Sequence, residues 1–75
     1  MLTPSQIRWA ASHDWFVAAT KAGDGRDGVT VLEVAVYAPG VTPDDTVRFT
    51  EEGRAVTERT MDFFDYPSLR DWAGY

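Results

Sequence analysis

The sequence predicts an α+β domain: a small antiparallel sheet of about four strands, made of two hairpins, with an N-terminal helix and a short C-terminal helix. Three observations carry that expectation. A capped helix signal opens the chain, period-two apolar patterns broken by glycine-rich turns fill residues 15–60, and a proline-led helix signal follows Asp65.

In "MLTPSQIRWAASH", Thr3 suits the N-cap, Pro4 the first helical position and Gln6 the third, completing a capping box, while Leu2 can staple onto Ile7. A helix from Pro4 to about Ser12 follows, with Ile7, Ala10 and Ala11 as its apolar stripe and Trp9 projecting from another side. Trp15 to Lys21 reads as a first strand, Ala22 to Gly28 as a solvated turn, and Val29 to Tyr37 as a second strand rich in β-branched residues. On that strand Leu32, Val34 and Val36, with Thr30 at the end, are expected to face the core. Val29, Val31 and Ala35 share the other face with Glu33 and Tyr37, which makes it only half polar.

Pro39 and Gly40 stop the second strand. Val47 and Phe49 then alternate with polar residues, Glu51 to Gly53 form a turn, and Arg54 to Thr60 return as an edge strand. Thr50 also fits the cap of a short helix through Arg54, Ala55, Val56 and Arg59, but Gly53 would weaken its first turn. "DYPSLRDWAG" gives the terminal helix, with Pro67 in its first turn and Gly74 at its stop. Five of the ten aromatic residues lie between Met61 and Tyr75. Phe63 or Phe64, Leu69 and Trp72 are expected to complete the core, leaving Asp62, Asp65 and Asp71 outside.

Seventy-five residues make one domain, residues 1–75, able to bury only roughly 60% of the surface of its unfolded chain. Cysteine is absent, which removes disulfides, thiolate metal sites and a cysteine nucleophile together. The net charge of −5 is uneven: residues 44–75 hold eight acids against four bases. With one lysine and six scattered arginines, the chain lacks the clustered cations that release counterions from a nucleic-acid backbone, so no direct nucleic-acid binding is expected. No apolar run approaches the ~20 residues of a membrane span and no secretory signal is visible, so no membrane contact and a cytoplasmic location are expected.

The chemical motifs dissolve when their contexts are examined. "GDGRDG", Gly23 to Gly28, spells the dinucleotide pattern, yet it leads into a strand rather than into a helix whose amides could hold a pyrophosphate. Read as a calcium loop from Asp24, it offers Arg26, Gly28 and Ala35 where oxygen ligands belong. "SHD", Ser12 to Asp14, contains the residue types of a hydrolase triad, but consecutive residues at a helix end diverge in space. His13 is better placed to meet the last helical carbonyls. The carboxylate pairs Asp44 with Asp45 and Glu51 with Glu52 flank turns without the lysine, histidine or basic groove that a metal nuclease needs. No catalytic, cofactor or metal-binding residue is therefore expected, and no enzymatic activity.

What remains is a protein that acts by contact. Asp44, Asp45, Glu51, Glu52, Glu58, Asp62 and Asp65 are the candidates for an acidic surface that occupies a basic site on a protein partner, with Tyr66 and Tyr75 as aromatic contacts. With acids concentrated in "PDDTVRFTEEG" and "TMDFFDY", the chain resembles, as a class, the small phage-encoded inhibitors of host defence, including anti-CRISPR proteins. That resemblance implies a stoichiometric inhibitor covering a nucleic-acid-binding or nuclease-recruiting surface of a larger complex. The alternative is a structural or assembly module in which Phe63, Phe64, Tyr66, Trp72 and Tyr75 supply the contact, as in a homodimer.

Overall fold

A computed structural model describes all residues from Met1 to Tyr75. The chain runs α1 (Pro4–Ala11), β1 (Phe16–Lys21), β2 (Asp27–Val36), β3 (Arg48–Phe49), β4 (Ala55–Phe63) and α2 (Tyr66–Ala73). The strands form one antiparallel sheet in the order β1-β2-β4-β3. The α+β class and the two hairpins are thus as the sequence predicts, and residues 55–63 are a strand, not a helix. No helix is long and apolar enough to cross a membrane.

Local chemistry sets the element ends. Thr3 accepts a hydrogen bond from the Gln6 amide while the Gln6 side chain accepts from the Thr3 amide, closing the capping box ahead of Pro4. Asp65 caps α2 by accepting from the Ser68 amide at 2.9 Å, and Gly74 ends that helix at φ 87°, where a side chain would be strained.

The core forms where helices and sheet coincide. Leu2, Ala10, Val29, Val31 and Leu69 are fully buried, and Ile7, Trp9, Trp15, Phe16, Met61, Phe63, Tyr66 and Trp72 pack around them. The face of β2 that is buried is the opposite of the one expected. Val29 and Val31 are 0% exposed, Leu32 is half-buried, and Val34 and Val36 are 45% and 56% exposed. Cross-strand pairing explains the reversal: Val29 sits opposite Phe63 and Val31 opposite Met61, so the widest apolar surface lies on the odd-numbered face.

A second correction concerns β4, expected as an edge strand ending near Thr60. It is an inner strand, paired to β2 on one side and β3 on the other, and it runs on through Phe63. The "MDF" of the aromatic tail is therefore sheet, which brings α2 back onto the core directly after it.

The helices cover only part of the sheet, α1 against β1 and β2 and α2 against β4. β2 and β4 extend past them, and the molecule measures 42 × 25 × 17 Å with a radius of gyration of 14.8 Å. A compact chain of this length would have about 11 Å. The helix-free end is organised by the small buried residues Ala55, Val56 and Thr57.

Candidate contact surface

At the helix-free end, Val34, Val36, Val41, Val47 and Phe49 are all exposed large apolar residues. Val47 and Phe49, each 58% exposed, are two apart and share a face by strand alternation. On either side of them in sequence lie Asp44 with Asp45 and Glu51 with Glu52, all exposed.

Four other carboxylates have cationic partners: Asp27 with Lys21, Asp24 with Arg26, Glu58 with Arg48 at 3.3 Å, and Glu33 with Arg59. None of Asp44, Asp45, Glu51 and Glu52 makes such a pair, so this end carries uncompensated negative charge. Asp45 also lines a recess of about 250 Å³ with Glu33, Ala35, Tyr37, Thr57 and Arg59. The Glu33 carboxylate holds the Arg59 guanidinium above its ordinary pKa, chiefly by hydrogen bonding and then by charge. In the β1–β2 turn, Arg26 likewise lowers the Asp24 pKa, first through its side-chain hydrogen bond.

The other sequence-nominated acids do not join this group. Glu58 is tied to Arg48, and Asp62 accepts from the Thr30 hydroxyl at 2.7 Å across the β2–β4 pair. Asp65 lies beyond the far end of β4 from Glu51 and Glu52, on the order of 25 Å away along the strand. The Asp65 carboxylate is held below the ordinary range by the Ser68 side chain first and the Ser68 amide second. A lowered folded value means that its contribution is complete above the unfolded pKa and is lost as pH falls through the folded one. Urea titrations between pH 7 and about pH 2 should therefore show a flatter acid limb for Asp65→Asn than for wild type, since asparagine caps without titrating. Identical limbs would remove Asp65 from the acid response.

Tyr66 and Tyr75 sit at the helical end. Trp9 is the hub there, with ring centroids 5.4 Å from Tyr66, 5.6 Å from Tyr75, 5.9 Å from Trp15 and 4.7 Å from His13. Tyr66 is half-buried with Arg70 over its ring, whereas Tyr75 is 64% exposed. His13 stacks on Trp15 at 4.6 Å. Its Nδ1 lies 2.8 Å from the Trp9 carbonyl oxygen, so that nitrogen carries the proton and donates, as expected of a residue at a helix C-terminus. Nε2 lies 3.1 Å from the Tyr75 hydroxyl, within hydrogen-bond distance. Both ring nitrogens are thereby occupied.

One further concavity, about 480 Å³, opens beside the start of β1 and is lined by Asp14, Trp15, Leu32, Glu33, Val34 and Trp72. Sequence reasoning missed this groove and the exposure of Val34, Val36, Val47 and Phe49. The signal available was that both faces of β2 are apolar, which one layer of helices cannot cover. Searches against known protein families, curated proteins and solved structures find no match to this chain.

Proposed function

We propose that this protein is a non-catalytic binding protein that docks its helix-free end on a basic protein surface and blocks it stoichiometrically, as the small phage-encoded inhibitors do. The observation that carries this reading is the juxtaposition of four unpaired carboxylates, Asp44, Asp45, Glu51 and Glu52, with exposed Val47 and Phe49. Apolar residues with a charged rim are the general anatomy of a protein interface: the centre supplies desolvation and the rim speeds encounter and selects the partner. Glu58, Asp62, Asp65, Tyr66 and Tyr75 are left out, because each is engaged within the fold or lies at the other end. The aromatic-surface alternative loses ground for the same reason, since Tyr66 and Tyr75 are spent on Trp9 and His13.

The test is capture of the native partner by wild type and two variants at low and high salt. Reversal of Asp44, Asp45, Glu51 and Glu52 to lysine should weaken capture by roughly ten- to a hundredfold at low salt, with the difference narrowing as salt rises. Phe49→Ala should weaken it by about tenfold or more at every salt concentration. Capture unaffected by either change would reject this surface.

A further inference from the structure

In an antiparallel sheet the N–H and C=O of one residue point to the same side, and successive residues point to opposite neighbours. The Leu32 amide donates to the Trp15 carbonyl at 2.8 Å, on the β1 side, and the Tyr37 amide donates to the Ala55 carbonyl at 2.9 Å, on the β4 side. Between them, Val34 and Val36 direct their backbone groups toward β1. But β1 begins at Phe16, opposite Val31, so no strand lies beside β2 past Leu32. The segment from Glu33 to Tyr37, "EVAVY", is therefore an open edge with two N–H and two C=O groups lacking a strand partner, and its valine side chains are exposed.

Other edges of this sheet are guarded and this one is not. β1 carries a bulge between Phe16 and Ala18 and ends in Lys21, and β3 is two residues long and includes Arg48. Short strands, bulges and cations are the usual means of keeping edges from pairing. The Glu33–Tyr37 edge has no bulge, proline or lysine, and its one charge, Glu33, is already neutralised by Arg59.

We infer that this edge is occupied by a second copy of the chain, in an antiparallel pair of β2 strands about a two-fold axis at Ala35. The segment is self-complementary in that register. Val34 exchanges both backbone hydrogen bonds with Val36 of the second copy, and Val36 does so with Val34 of the second copy, which satisfies all the open groups. The two Ala35 residues meet as a close pair without bulk at the axis, and Glu33 faces Tyr37 of the second copy, so no like charges oppose. The Ala38–Pro39 corner of the second copy arrives at the apolar groove of Trp15, Leu32, Val34 and Trp72.

Glu51 and Glu52, in the turn that follows β3, lie across the sheet from this edge, and of the unpaired acids Asp45 borders it, in the recess it shares with Ala35 and Tyr37. An isologous contact of this kind closes as a dimer. Five residues of strand edge make an interface below the standard size of about 800 Å² per partner, so the dimer is a weak one that forms at high protein concentration.

The absence of cysteine makes a decisive test available. Cα atoms of a non-hydrogen-bonded antiparallel pair are about 4.5 Å apart, within disulfide range, so Ala35→Cys should oxidise to a covalent dimer at about 100 µM, while Val41→Cys, exposed but off the edge, gives only background. Sedimentation of wild type should rise with concentration from 8.4 kDa toward twice that mass. Val36→Pro deletes an amide facing the open edge and leaves the β4 ladder intact, so it should stay monomeric with an unchanged far-UV spectrum. The inference is overturned if wild type remains at 8.4 kDa up to about 1 mM, if Ala35→Cys crosslinks no better than Val41→Cys, or if a well-folded Val36→Pro still dimerises. Because Glu51 and Glu52 lie beyond β3, across the sheet from this edge, their reversal to lysine alone should leave the dimer intact, and the two readings can fail separately.

Discussion

Replacing Gly28 with alanine is expected to lower the unfolding free energy by about 2–3 kcal/mol, and the melting temperature by roughly 10–20 °C for a domain this small. Gly28 is not a turn glycine: it lies within β2, fully buried, and its φ is not positive. A Cβ there would run into the Phe63 carbonyl oxygen and come within 2.5 Å of a Phe64 ring carbon. The ring has some freedom to turn away, although Arg26 stacks on it at 5.2 Å, but the carbonyl belongs to the backbone where Val29 pairs with Phe63. Accommodation must therefore shift the β2–β4 register or the crossing into α2. Thermal and urea unfolding of Gly28→Ala beside Gly23→Ala measures the effect, since a Cβ at Gly23 meets nothing within 4 Å. Adding Phe64→Ala should recover only part of the loss, because the carbonyl clash persists. Equal stability of the two glycine variants would show that Phe64 does not lie across β2.

Leu69→Ala should be the most damaging single truncation, at about 3–4 kcal/mol. Leu69 is 0% exposed and is the only fully buried residue of α2, in one cluster with Val29, Val31, Leu2 and Ala10. A chain of this length has a total stability of roughly 4–11 kcal/mol, so the variant would retain little or none at the low end of that range. Urea denaturation followed by tryptophan fluorescence suits the measurement, because Trp9, Trp15 and Trp72 all border the cluster. A loss below about 1 kcal/mol would mean that α2 is not docked on Val29 and Val31.

Much of this fold was legible because local rules and global packing agree. Thr3 and Gln6 formed the box that the spelling implied, and Pro67 and Gly74 bracketed α2. His13 met the Trp9 carbonyl, as its place at the end of α1 implied. The face of β2 was misread because valines occur on both sides of it, and alternation cannot rank two apolar faces; only pairing with Met61 and Phe63 does so. Gly28 was misassigned for a related reason. As the last glycine of "GDGRDG" it looked like turn chemistry, whereas its need for a bare Cα comes from Phe64, thirty-six residues away. The candidate surface was half legible: charge is additive along a sequence, so the surplus near Asp44 to Glu52 could be seen, but which acids are neutralised depends on pairs such as Arg48 with Glu58 that form only across strands.

Leu2 and Leu69 meet in one cluster although sixty-seven residues separate them. During synthesis, the hairpin of β1 and β2 emerges with its Val29 and Val31 uncovered, and α1 alone lacks the partner that would seal them. Cooperative folding must then wait until α2 has cleared the ribosomal tunnel, and until that moment Val29 and Val31 stay open to chaperones.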